Sequence, residues 1–102
     1  MTVLVDAKTG EYLGWGESGT IGDILADFAG HPVIALTPET DGVLEGYVAH
    51  VDGEDCWTGI KYVPETGKFQ VDLCSDSNGD LDPVYTFENY FDALRKAKEL
   101  VG

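Results

Sequence analysis

The glycine-rich segment at residues 14–19 is the first place where residue types and their spacing suggest chemistry. It reads GWGESG, which has the GxGxxG spacing of a dinucleotide-binding turn, and Glu39 and Asp41 follow at about the 20-residue distance that this motif requires. Three features argue against nucleotide binding: the preceding strand is predicted to be half of a hairpin, the sequence is too short for a second mononucleotide-binding half, and Glu17 would lie beside the pyrophosphate. We interpret the glycines as a tight turn that leads into a helix.

The acidic loop that begins at Asp76 is a second candidate. Asn78 and Asp80 continue an alternation of oxygen ligands like that at the start of a calcium-binding loop. The sixth position, however, is Leu81 where that motif needs glycine, and the twelfth is Phe87 where it needs a bidentate glutamate. We interpret this loop as a solvated turn with acidic residues. The sequence therefore predicts neither a metal ion nor another cofactor.

Cys56 is the remaining candidate for catalysis, because His50 lies across a predicted tight turn and could activate its thiol as a nucleophile. The acids between them, Asp52, Glu54 and Asp55, disfavour the thiolate that such chemistry needs. No CxxC, GxSxG, HExxH or P-loop motif occurs in the sequence. We therefore predict that the protein is not an enzyme.

Net charge is the most unusual property of the chain. Its 102 residues include 19 Asp and Glu against 6 Lys and Arg, a formal net charge of -13. This excess argues against direct binding to nucleic acid or to an anionic membrane, both of which attract Lys and Arg. Solubility needs far less charge, and self-repulsion on this scale destabilises a compact chain. We therefore expect a basic partner.

The elements that must position these acids are those of a single acidic α+β domain over residues 1–102. Residues 7–10 and 64–67 each suit a type I turn that ends in glycine and closes a hairpin. An antiparallel meander sheet of about five strands is predicted after the N-terminal hairpin, with strands at residues 33–37, 43–51, 57–63, 69–74 and 84–86. Two helices are predicted, over residues of about 20–29 and 87–101.

The second hairpin has a predictable register. If Val63 lies opposite Lys68, the alternation of side chains collects the apolar residues on one face of the sheet and leaves the other face solvated. The apolar face then carries Thr58, Ile60, Tyr62, Phe69, Val71 and Leu73, and the solvated face carries Lys61, Gln70 and Asp72. The C-terminal helix is expected to cover the apolar face.

The same register separates the two cysteines. It places Cys74 opposite Trp57, on the sheet face that Cys56 does not share. The short Cβ separation of a disulfide is then out of reach, so both cysteines are expected to be thiols. Thiols, together with the lack of a recognisable leader or membrane-spanning segment, lead us to expect a cytoplasmic protein of the producing or infected cell.

Carboxylates repeated along one face could imitate a nucleic-acid backbone. Those two apart on a strand lie ~6.5–7 Å apart, and those four apart on a helix have Cβ atoms about 5–6 Å apart. Both spacings are comparable with that of successive phosphates. The expected partner is therefore a basic protein or ribonucleoprotein complex, bound without direct contact to nucleic acid or membrane. The predicted partner-binding residues are Asp52, Glu54 and Asp55; Asp76, Asp80 and Asp82; Asp23 and Asp27; and the aromatic anchors Tyr47 and Trp57.

Three functions remain open at this point. The first is an inhibitor that mimics nucleic acid and occupies a basic groove, as a phage anti-defence protein such as an anti-CRISPR, or an immunity protein against a nuclease toxin, would do. That comparison is an analogy of size and charge. The second is a salt-adapted small cytoplasmic protein of unrelated function. The third is a calcium-dependent adaptor module that uses the loop at residues 75–83.

Overall fold

The computed structural model describes residues 2–17, 21–27, 30–42, 44–74 and 82–102. Its strands form two antiparallel sheets, so the α+β class is confirmed. In chain order the elements are β1 (Thr2–Asp6), β2 (Tyr12–Gly16), α1 (Ile21–Asp27), β3 (Val33–Leu36), β4 (Ala49–Asp52), β5 (Trp57–Val63), β6 (Lys68–Cys74), β7 (Asp82–Phe87) and α2 (Tyr90–Val101). The sheet orders are β2-β1-β3 and β4-β5-β6-β7.

The single five-stranded meander predicted from the sequence is wrong, because β3 belongs to the other sheet. β3 pairs with β1, with Val3 opposite Leu36 and Val5 opposite Ile34. β1 is thereby paired on both edges, and its valines are fully buried. Alternating apolar residues mark β3 as a strand but do not specify its partner. The four strands β4 to β7 remain as the meander.

The strand predicted at residues 43–51 is also shorter than expected, since regular pairing is confined to β4. The residues before it form a compact loop in which the Gly46 amide donates to the Glu39 carbonyl oxygen at 2.9 Å and the Tyr47 amide donates to the Leu44 carbonyl oxygen at 2.9 Å. Gly46 has a φ of +87°, which favours glycine. This loop brings Tyr47 to the β4-β5-β6-β7 sheet.

Both predicted hairpin turns form, and both end in glycine with a positive φ, +77° at Gly10 and +69° at Gly67. The β5–β6 register is confirmed, with Val63 opposite Lys68 and Tyr62 opposite Phe69. Cys74 lies opposite Trp57, as that register requires. Both cysteines are thiols: Cys74 is buried and Cys56 half-buried.

Helix α2 covers the apolar face of the β4-β5-β6-β7 sheet. It begins at Tyr90, later than predicted, because residues up to Phe87 belong to β7. Asn89 caps it, since its Oδ1 accepts hydrogen bonds from the Phe91 and Asp92 amides at 2.8 and 3.3 Å. The core around α2 joins both sheets and contains Val3, Val5, Leu36, Ile60, Tyr62, Phe69, Val71, Tyr90, Ala93 and Ala97.

Helix α1 contacts β2 and lies within the range predicted for the first helix. The predicted start of that helix at residue 20 and its predicted end at residues 28–29 lie outside the described residues. In the part of the chain that the structure describes, no helix has the length and apolar character needed to cross a membrane.

Candidate functional site

The acidic turn, defined as Asp52, Glu54 and Asp55, connects β4 to β5 and exposes all three side chains. The Gly53 amide donates to the Cys56 carbonyl oxygen at 2.8 Å and closes the turn. The structure therefore brings together the three acids that the sequence analysis placed first.

This acidic turn lies against the C-terminal end of α2. A Cβ atom built on Gly53 would lie 2.8 Å from the Cβ atom of Val101, so the two backbones are in close contact. The Cys56 thiol is 3.9 Å from the Leu100 carbonyl oxygen, to which it donates. Unpaired carbonyl groups make the C-terminal end of a helix negative. The three carboxylates thus lie at a helix end where cations would be the stabilising choice.

Trp57 borders the acidic turn on the face of the sheet that α2 does not cover, which we call the outer face. It lies opposite Asp52 on β4 and opposite Cys74 on β6. Its side chain is half-buried. Part of an aromatic surface is therefore beside the exposed carboxylates, in the position expected of an anchor.

Tyr47, the other predicted aromatic anchor, is only 8% exposed. Its hydroxyl group donates to Asp72 Oδ2, and its ring lies against Gly59. Burial, and then the neighbouring Asp72 carboxylate, raise the pKa of Tyr47 above its usual value of 10.0. A partner could contact the ring directly only if Tyr47 left this position, so its predicted role as an anchor lacks the exposure that such a role needs.

Asp72 is 2% exposed, so its placement on a solvated face was wrong. The Gln70 side chain donates to Asp72 Oδ1 at 2.7 Å, and the Lys61 ammonium group lies 3.7 Å from Oδ2. The sequence did contain a signal for this burial, since Gly59 lies opposite Asp72 in the middle of β5. A glycine inside a strand often marks the close approach of another group, which here is Tyr47.

The other predicted acidic clusters are not brought to the acidic turn by any contact that the structure describes. Asp23 and Asp27 are exposed on α1, four residues apart and therefore on one side of the helix. Asp76 and Asp80 lie outside the described residues. Asp82 begins β7 opposite Leu73, but its side chain lies outside the described part.

A further acidic surface was missed by the sequence analysis. Glu39, Glu45 and Glu65 line an open groove of about 690 Å³ between the loop before β4 and the β5–β6 hairpin. A backbone bridge joins Glu39 to Glu45, and Glu65 comes from the hairpin turn. Only the folding of the loop unites these positions, so no local sequence pattern marks them.

Asp6 forms a separate polar cluster at the first hairpin. Its Oδ1 accepts from the Lys8 and Thr9 amides at 2.7 and 2.9 Å, and its Oδ2 lies 2.5 Å from His31 Nε2. The Thr9 and Lys8 amides lower the pKa of Asp6, and His31 adds to this effect against an opposing effect of burial. These bonds hold the turn to the segment before β3, which indicates a structural role.

In the described ranges, no group of three or more His, Cys, Asp or Glu side chains is placed to hold a metal ion. Comparison of the chain with protein-family models, with curated proteins and with solved structures gives no match.

Proposed function

We propose that this protein is an acidic inhibitor that binds a basic nucleic-acid-binding partner and blocks the nucleic-acid groove of that partner. The observation that carries the proposal is the position of Asp52, Glu54 and Asp55. They are exposed beside the C-terminal end of α2, where negative charge is unfavourable to the helix dipole. A cationic surface that covers them would offset this unfavourable potential.

The remaining charge supports the same conclusion. A net charge of -13 attracts a basic surface over a long range and accelerates the encounter. Half-buried Trp57, next to the acidic turn, supplies apolar area that slows dissociation once the partner is bound. Phage anti-defence proteins of the anti-CRISPR kind and immunity proteins of nuclease toxins are the classes of inhibitor that this proposal resembles in size and charge.

The test starts from the partner itself. Proteins captured from the source organism on the immobilised chain are identified by mass spectrometry, and a basic candidate is purified. A fluorescent oligonucleotide is then bound to that candidate, and this protein is added. The proposal expects the oligonucleotide to be displaced. Simultaneous binding of the oligonucleotide and this protein would contradict it.

Two variants with equal loss of charge sharpen the test. The turn variant carries Asp52→Asn, Glu54→Gln and Asp55→Asn. The distal variant carries Glu11→Gln, Glu17→Gln and Glu88→Gln, all at exposed positions outside the acidic turn and outside the glutamate-lined groove. At low salt we expect the turn variant to associate with the partner about tenfold more slowly, while the distal variant stays near the wild-type rate. Equal effects of the two variants would mean that the acids of the turn act only through the net charge of the protein, which would contradict a specific role of the acidic turn. Stability that rises steeply in molar salt, without displacement, would instead favour a salt-adapted protein.

A further inference from the structure

The groove between the loop before β4 and the β5–β6 hairpin combines an apolar lining with negative charge. Pro38, Tyr62, Val63 and Pro64 contribute apolar surface to its volume of about 690 Å³. The same groove is lined by three glutamates, Glu39, Glu45 and Glu65, all of which are exposed. It is open to solvent, which suits a segment of chain better than an enclosed small molecule.

The negative charge of this groove is not neutralised by the fold. Among the residues that the structure describes, none of its three glutamates forms an ion pair. Lys61 also lines the groove, but its ammonium group lies 3.7 Å from Asp72 Oδ2 and 5.6 Å from the centre of the Tyr47 ring. Lys61 is therefore committed to buried Asp72, and the three carboxylates remain for a ligand.

The wall that carries two of the glutamates is held by backbone hydrogen bonds. The Glu39 amide donates to the Tyr47 carbonyl oxygen at 3.0 Å, and the Gly46 amide donates to the Glu39 carbonyl oxygen at 2.9 Å. Tyr47 is in turn fixed on the sheet by Asp72. The groove is thus formed before a ligand arrives, which reduces the entropy lost on binding.

We propose that this groove binds an extended cationic segment of the basic partner. The aliphatic part of an arginine or lysine side chain lies against Val63 and the two prolines, and its charged end contacts the glutamates. Arginine is the better ligand, because its planar guanidinium group can donate two parallel hydrogen bonds to a carboxylate. Phosphate-bearing ligands are disfavoured by like charge. This inference rests on the proposed function, since it names a second surface that holds the same basic partner.

The experiment uses the whole isotope-labelled protein and a short synthetic peptide, acetylated and amidated, in which arginine alternates with valine. Backbone amide shifts are followed by NMR during titration. We expect saturable shifts at residues 37–46 and 61–70. The same peptide with citrulline in place of arginine keeps the shape without the charge, and we expect its addition to cause no change in the chemical shifts of these amides.

The groove variant, Glu39→Gln with Glu45→Gln and Glu65→Gln, should weaken peptide binding by about tenfold or more. The distal variant, which loses the same charge elsewhere, should bind like the wild type. The amide spectrum of each variant in the absence of peptide reports whether it is folded. Equal weakening in the groove and distal variants, shifts spread over all acidic surfaces, or no saturable shifts would each overturn the inference. These results are independent of oligonucleotide displacement, so the groove and the proposed inhibition can fail separately.

Discussion

The ring of Tyr47 lies so close to Gly59 that a Cβ atom on this glycine would be 2.6 Å from Cδ1 of the tyrosine. Gly59 is therefore the residue that allows a loop side chain to lie on the outer face of the sheet. Because Tyr47 covers that face, Asp72 is buried and accepts a hydrogen bond from the tyrosine hydroxyl group. The same contact holds one wall of the glutamate-lined groove.

Replacement of Gly59 with alanine should displace the Tyr47 ring. We expect the free energy of unfolding to fall by about 1–3 kcal/mol, as it does when a packed site is overfilled. Urea denaturation measures the loss. Gly22→Ala is the matched control, since a Cβ atom there meets nothing within 4 Å, and in helix α1 alanine should be neutral or stabilising by up to about 1 kcal/mol. A Gly59→Ala variant as stable as the wild type would contradict the close packing of Tyr47.

Tyr47→Phe should remove the hydrogen bond to Asp72 and destabilise the protein by about 1–3 kcal/mol, because a buried acceptor loses its donor. The substitution should also change how the free energy of unfolding depends on pH in the alkaline range. The raised pKa of Tyr47 means that its contribution to stability is complete below pH 10.0 and declines as pH rises above that value towards the folded-state pKa.

Unfolding measured from about pH 8 to about pH 11 should therefore show a smaller alkaline loss in Tyr47→Phe than in the wild type. Some loss will persist in the variant, because burial also raises the pKa values of Tyr12 and Tyr90. Parallel curves for the two proteins would show that Tyr47 ionises alike in the folded and unfolded states.

Asn89 joins the N-terminal hairpin to α2, and its roles as helix cap and as hydrogen-bond donor to the hairpin can be separated by mutation. Its Oδ1 caps the helix, and its Nδ2 donates to the Thr9 carbonyl oxygen at 2.8 Å. Asn89→Ala should cost about 1–2 kcal/mol. Asn89→Asp keeps the cap acceptor and loses the donor to Thr9. Its free energy of unfolding should therefore lie between those of the wild type and of Asn89→Ala. An aspartate variant as unstable as the alanine variant would assign the effect to the hairpin contact alone.

The turn variant, with Asp52→Asn, Glu54→Gln and Asp55→Asn, should be more stable than the wild type. Removal of negative charge from the C-terminal end of α2 should raise the free energy of unfolding by about 0.5–1 kcal/mol at low ionic strength. The gain should shrink in molar salt, where such charges are screened. Thermal or urea unfolding at two salt concentrations measures it, with the distal variant as control. A loss of stability would remove the argument that these acids are kept for binding.

Local patterns predicted the local structure well. The glycines at positions 10 and 67 marked both hairpin turns. Alternation favoured the β5–β6 register that the structure has, because a shift of one residue would have exposed Phe69 and Val71. The pairing of β3 with β1 could not be read in this way. An apolar strand can satisfy its hydrogen bonds with either sheet, and the choice depends on how the whole chain packs around α2.

The candidate site was also predictable only where its residues are close together in the sequence. Asp52, Glu54 and Asp55 are neighbours in sequence, so their clustering is local. Tertiary folding, by contrast, is what brings Glu39 and Glu45 to the same groove as Glu65. Burial of Asp72 was foreshadowed by Gly59 but required knowledge that the loop residue Tyr47 returns to the sheet, which alternation within β5 and β6 does not contain.

The bond from Asn89 to Thr9 spans 80 positions of the chain, and the Tyr90 amide donates to the Gly10 carbonyl oxygen beside it. During translation every strand leaves the ribosome before α2, whose residues complete the core around Val3 and Val5. The apolar face of the first hairpin is therefore fully covered only after α2 has been synthesised. Contacts of such long range slow folding and make it depend on the whole domain. Nascent chains that end before Tyr90 would expose this face to chaperones and proteases.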